Sequence, residues 1–271
     1  MKSLFRAASM AALLLISGCE LMSKRAPYPD PGRLVSVVKV SPAGEEMILD
    51  TDFLALRNQS KTLASIAAHV FRARALTGGS EPERIQSELA SADFFPTLGV
   101  RPVLGREFIS EDCKPGGDHV AVISYRLWQG RYSGDPSLIG RTIALDGEQY
   151  TVVGVMPDNF QFPKFCDVWT PLAFDAESLP VEKKGIELHV IARLKNGVTL
   201  EQAQVEMSEI AHKLETDYPA TNTGRDIKLA ALRESYIQGK RVMAIKINRP
   251  VNPTPENSPP VNSPIDKGKE K

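Results

Sequence analysis

Apolar residues change their period several times along the chain, and each change predicts an element. Residues 34–40 form a β-rich run. Thr51 or Asp52 is then placed to cap a helix through Gln59, with Phe53, Leu54 and Leu56 as apolar contacts. The apolar character continues over residues 62–71, turning to strand before the turn signal Thr77-Gly78-Gly79. Residues 83–89 put Ile85, Ser87 and Leu89 on one side and charged or amide groups on the other, the pattern of a strand with one exposed face. Ser91 is read as the N-cap of a short helix over residues 93–98, closed by Gly99. Residues 101–118 are read as loop, because Pro102, Gly105 and Pro115-Gly116-Gly117 break any period.

The most specific stretch is 120–157, VAVISYRLWQGRYSGDPSLIGRTIALDGEQYTVVGVMP. Its first four residues form the uninterrupted apolar run of a strand buried on both faces. Ser124 caps the helix that follows, on which Leu127 and Trp128 are expected to face the core and Arg126 and Arg131 the water. Gly134-Asp135-Pro136 breaks that helix. Residues 141–145 and 150–155 flank Asp146-Gly147, a hairpin signal because both residues tolerate positive φ. Two further strands are predicted at 167–172 and 187–194. Thr199 with Gln202 makes a capping box, and Leu200, Ala203, Met207, Ile210, Ala211 and Leu214 trace one face of a long helix that Pro219 is expected to stop. Residues 226–232 read as a closing strand and 240–247 as one more. From 248 to 271 the chain is a Pro/Ser/Lys-rich tail that cannot bury enough apolar surface to offset its ordering entropy, and disorder is expected there.

Charge narrows the class of partner. Lys+Arg and Asp+Glu both total 33, so no net field draws the chain to phosphate backbones, and nucleic acid is not an expected partner. The N-terminus points to export: Lys2 and Arg6 precede an apolar stretch over residues 8–16, far short of a membrane span, and then come Ser17, Gly18 and Cys19. Ile16-Ser17-Gly18-Cys19 resembles a bacterial lipobox, which implies a signal peptide over 1–18 and lipid attachment at Cys19. Several acyl chains there would hold the protein on a membrane. Glu20 in place of Asp favours the outer membrane by the sorting rule of enteric lipoproteins. A Pro-rich tether over 19–33 leads to the folded region, expected over 34–247.

Candidate chemistry is sparse. There is no G-x-x-x-x-G-K-[ST] loop, H-E-x-x-H pair or G-x-S-x-G elbow. His69, His119, His189 and His212 are scattered, and Glu209 with His212 is a single E-x-x-H, read as a solvated helix face. Glu81 with Glu83, and Glu111 with Asp112, are read as exposed loop carboxylates. Trp128 and Trp169 are assigned to the core. Cys113 and Cys166 could form a disulfide in an exported chain, but they lie in separate loop-like stretches and spacing leaves their pairing open. A metal site from Cys113, Cys166 and His119 lacks any short-range ligand pairing. No catalytic residue, cofactor or metal is expected.

The run of motifs SADFFPTLGVRPVLGREF, the 120–157 stretch, FQFP, DVWTPLAF, HVIARLKNGVTLEQAQVEM and YPATN resembles the MacB-type periplasmic core domain of FtsX-like ABC transporter permeases, over about residues 27–235. The resemblance implies an α+β domain of two mixed α/β subdomains, one porter-like. In such permeases it couples an inner-membrane ATPase to periplasmic partners and performs no chemistry itself. Here the first membrane helix is replaced by the lipoprotein-like signal, and the permease helices expected after Leu232-Arg233-Glu234-Ser235 are missing. The expected role is therefore protein–protein contact in the cell envelope, facing the periplasm, as an accessory to an ABC transporter permease/ATPase or another envelope complex. A truncated permease remnant without transport activity and an envelope hydrolase are the alternative readings.

Overall fold

The computed structural model describes residues 28–78, 81–173 and 185–232. The signal over 1–18, Cys19, most of the tether, the strand expected at 240–247 and the tail lie outside the described residues.

The chain enters through Tyr28 and a single 3-10 turn at Pro31–Arg33, then forms β1 (Leu34–Ser41), which folds back into β2 (Gly44–Glu46) and leads through β3 (Ile48–Leu49) to α1 (Asp50–Gln59). Neither Thr51 nor Asp52 caps α1. Instead Asp50 accepts from Thr51 N–H at 2.8 Å and from Ile186 N–H at 3.2 Å, while Asp52 is drawn fully inside the protein. The next strand, β4 (Leu63–Thr77), is 15 residues long, about 50 Å at the usual rise.

β5 (Glu83–Ala90) returns beside β4 and α2 (Phe94–Leu98) follows. Ser91 is not its cap: the Ser91 hydroxyl accepts from Ala68 N–H at 3.0 Å, tying β4 to this corner, and Asp93 holds the N-cap position with no side-chain bond. Gly99 does close the helix, at φ 72°. The predicted loop is interrupted only by β6 (Leu104–Gly105), after which β7 (Val120–Ile123) is buried along its whole length. Ser124 caps α3 (Tyr125–Tyr132) as predicted, accepting from Leu127 N–H at 3.1 Å. On α3 only Leu127 is fully buried; Trp128 is half-buried, with its indole N–H on Asp135 O at 2.9 Å, and Arg131 reaches Glu83 at 2.9 Å. β8 (Thr142–Leu145) and β9 (Glu148–Val155) flank Asp146 at φ 54° and Gly147 at φ 87°, the two positive angles that a tight hairpin needs. β10 (Val168–Pro171) comes next.

After β11 (Glu187–Leu194), the capping box of Thr199 and Gln202 opens α4 (Leu200–Asp217), which buries Ala203, Met207, Ile210, Ala211 and Leu214. Pro219 ends α4 but also begins the short α5 (Pro219–Asn222), since a first-turn position needs no N–H donor. β12 (Asp226–Ala231) closes the sequence of elements.

The strands form one mixed sheet in the order β12-β1-β11-β4-β5-β10-β7-β9-β6. Two subdomains share it. In the first, β1-α1-β4 and β11-α4-β12 are two βαβ units whose strands interleave, all antiparallel, in the split arrangement. One face of this sheet packs Val35, Val37, Ala68 and Val190 against Phe53 and Leu56 of α1 and Met207 and Leu214 of α4. Everything from β5 to β10 is inserted between the second and third of these strands. Beyond β4, the second subdomain gathers Leu76, Ile123, Leu127, Leu145 and Val152 into its own core. An aromatic cluster of Phe94, Phe95, Phe108, Phe160, Phe162 and Trp169 covers the other face of the first sheet and joins the two parts.

Candidate functional site

Polar side chains gather in three buried places. In the first subdomain, Lys39, Asp52 and Asn222 form a closed triad. Lys39 continues the Val35, Val37 face of β1, so its ammonium lands inside the helix-covered core, where it pairs with Asp52 and donates to Asn222 Oδ1 at 2.9 Å. Asn222 Nδ2 returns to Asp52 Oδ1 at 3.3 Å. Relative exposures of 2%, 0% and 3% put the triad out of reach of any ligand.

On the opposite face, β4 and β11 set His69 directly across from His189, their rings stacked at 5.2 Å. His69 Nδ1 lies 2.8 Å from Glu88 Oε2, and its ring also meets Phe94 at 5.3 Å and Phe162 at 5.5 Å. Burial, reinforced by the neighbouring His69, lowers the His189 pKa to about 4. A histidine held by a carboxylate has the form of a general base. Here the imidazole is 6% exposed and roofed by aromatic rings, so the pair joins strands rather than meeting a substrate.

Below it, Arg193 is buried on the same face of β11. It donates to Thr97 O at 2.8 Å and Leu98 O at 3.1 Å, satisfying the C-terminal carbonyls of α2, and to Pro29 O at 3.0 Å. Loss of hydration pulls the Arg193 pKa below that of a free guanidinium.

Cys113 and Cys166 both touch the aromatic cluster, but as free thiols. Cys113 Sγ is directed at Ala90 O of β5 at 3.8 Å and Cys166 Sγ at Val168 O of β10 at 3.3 Å, so each thiol faces a different strand. Burial pushes Cys113 up to about 12 and Cys166 well above its ordinary value. Neither is a thiolate at neutral pH, so both are expected to resist iodoacetamide in the folded protein and to react on unfolding. Rapid alkylation under native conditions would contradict this.

The remaining candidates are spread out. His119 stacks on Tyr150 at 5.0 Å in the second subdomain. Glu209 and His212 lie on the exposed face of α4. Asp112 departs from the solvated-loop reading: it is 5% exposed and accepts from Arg106 at 2.6 and 3.1 Å and from Ile109 N–H at 2.9 Å. Burial opposes its ionisation, but those donors prevail and hold its carboxyl below the usual range. Trp169 is fully buried, as assigned. Among the described residues, no group of three or more His, Cys, Asp or Glu is arranged to hold a metal ion.

The family of MacB-like periplasmic core domains matches residues 7–210, three quarters of the chain. The chain belongs to that family. Its fold is similar to the periplasmic region of MacB from Actinobacillus actinomycetemcomitans, with a TM-score of 0.56 at 12% identity, covering 76% of this chain and 93% of that one. It is also similar to the extracellular domain of the noncanonic ABC-type transporter YknZ from Gram-positive bacteria, with a TM-score of 0.53 at 13% identity, covering 73% and 99%. At such identities the likeness speaks for the fold alone. No curated protein matches the chain. The MacB-like domain described here contains no helix long and apolar enough to cross a membrane among its described residues.

Proposed function

We propose that this MacB-like domain is a lipid-anchored envelope protein, attached through Cys19 and facing the periplasm, that works by protein–protein contact as an accessory to an ABC-type transporter or another envelope complex. The observation that carries the reading is Ile16-Ser17-Gly18-Cys19, which stands ahead of the described fold and within residues 7–210 that the family matches. It is supported by the state of the polar groups, since the triad, the histidine pair and Arg193 are each consumed by contacts inside the fold. Phe71 and Phe165 are exposed, at 47% and 63%, and give two positions from which a contacting partner can be captured.

Photo-crosslinking in cells from positions 71 and 165, with identification of the captured proteins, tests the role. Capture of ABC transporter subunits or another envelope protein is expected, and a background-only result ends the accessory reading. Cys19→Ser is expected to abolish lipid labelling and membrane retention. Unchanged retention would remove the anchor.

A further inference from the structure

The two strands that end the sheet order are unlike. At one end β6 is two residues long and gives another chain almost nothing to pair with. At the other end β12 has six residues, and its inner side pairs with β1 throughout, from Val40 opposite Asp226 to Val35 opposite Ala231. Peptide groups alternate in direction along a strand, so Asp226, Lys228 and Ala230 turn theirs toward β1, while Ile227, Leu229 and Ala231 turn theirs outward. The Ser36 hydroxyl of β1, donating to Ala230 O at 3.4 Å, fits that parity.

Side chains meet the outward groups where a neighbouring strand would. Gln204 of α4 spans two of them: its Nε2 donates to Ile227 O at 2.8 Å and its Oε1 accepts from Leu229 N–H at 2.9 Å. One carboxamide thus supplies the donor and the acceptor that a residue of a parallel strand would supply with its own N–H and C=O. Asp226 Oδ1 takes a third group, accepting from Ile227 N–H at 2.8 Å.

The spacing on α4 suits this task. Gln204, Ser208 and Glu215 are four and eleven positions apart, about one and three helical turns, and so form one row. That row borders the buried stripe of Ala203, Met207 and Ala211. It meets the chain in reverse order: Gln204 at Ile227 and Leu229, Ser208 with its hydroxyl 3.4 Å from Asp226 Oδ2, and Glu215 accepting from Gly224 N–H at 2.8 Å. Polar contacts therefore line the outer side of the chain from Gly224 to Leu229.

A bare edge of this length is a template for another chain. β12 suits a second copy of itself: in an antiparallel pair centred on Leu229, Ile227 falls opposite Ala231 and Lys228 opposite Ala230, with no like charges facing each other. We infer that the polar row of α4 is an edge seal, in which Gln204, aided by Asp226, closes β12 to strand addition and keeps two copies of the chain from pairing there.

The test uses the full chain carrying Cys19→Ser, so that no lipid contributes to association. Hydrogen exchange is followed at single amides, and mass by light scattering over rising concentration. Gln204→Met removes the carboxamide and keeps a long, unbranched helix former. Leu229 N–H is expected to exchange several-fold faster than in the parent, and Lys228 N–H, which faces β1, at the parental rate. The mass is expected to climb from the parental value toward twice that value, with unchanged circular dichroism. Adding Ala231→Pro removes an outward N–H that a new ladder needs, and is expected to restore the parental mass while Leu229 stays fast. Unchanged Leu229 exchange overturns the contact. Faster exchange with the parental mass at every concentration overturns the seal, and association that survives Ala231→Pro overturns strand addition as its route. Should Gln204→Met fail to fold, Asp226→Ala, which frees Ile227 N–H, carries the same readings with Ile227 in place of Leu229.

Discussion

Lys39→Met is expected to lower the stability of the domain by about 3–5 kcal/mol, because it leaves the Asp52 carboxylate buried with no cation. Asn222 Nδ2, 3.3 Å from Asp52 Oδ1, is a neutral and long donor and cannot replace an ammonium. The pair itself is not expected to contribute comparably, since the desolvation of both ions offsets most of their attraction. The double variant Lys39→Met with Asp52→Leu should therefore recover most of the loss. Urea midpoints of the three proteins at pH 7 decide the matter. A single variant that unfolds at the original midpoint would show that water reaches Asp52, and a double variant as weak as the single would show that the charges themselves hold the helices to the sheet.

Acidification from pH 6.5 to 4 should weaken the fold through His189. Its folded pKa is about 4, against 6.5 for a free imidazole. Between those values the unfolded chain binds a proton that the folded chain refuses, so stability is complete above pH 6.5 and falls as the pH drops toward 4. A shift of this size corresponds to about 3 kcal/mol. Carboxylates held below their usual range, such as Asp112 and Glu206, lose their contribution only below about pH 4–4.5, a lower window. His189→Phe keeps a ring against His69 and cannot titrate. Its stability, followed by chemical unfolding at each pH, should therefore decline less than that of the parent over this range. Parallel curves would show that His189 is protonated as readily in the folded state as in the unfolded one.

These two sites mark where a reading of the chain stops. In LVSVVKVS, both parities of β1 carry valines, yet Val35 and Val37 are buried while Val38 and Val40 are only partly so. Nothing local says that Lys39 points into the helix-covered core, and Asp52 looks like a helix cap until Lys39 arrives from another element. His69 and His189 are 120 positions apart and become neighbours only through the β4–β11 register. Ser91 has the residue type of a cap, yet its hydroxyl is taken by Ala68 N–H of β4. The same holds for Arg193, which alternation alone assigns to one face of a strand without revealing that α2 and the incoming chain both end against it.

The sequence by itself determined the elements whose causes are local: the Ser124 and Thr199 caps, the Gly99 stop, the Asp146-Gly147 hairpin and the apolar stripe of α4. It also carried the run of motifs by which the family is recognised. Each of these depends on side chains and backbone angles within a few residues, so their signals survive without the fold. Only the tertiary structure decided the interleaved strand order, the shared sheet of the two subdomains, the burial of the Lys39 triad and the stacked histidines, and the grip of Arg193 on Pro29. Those depend on which strands lie side by side, and cross-strand register is set by the packing of both sheet faces at once rather than by any short stretch of chain.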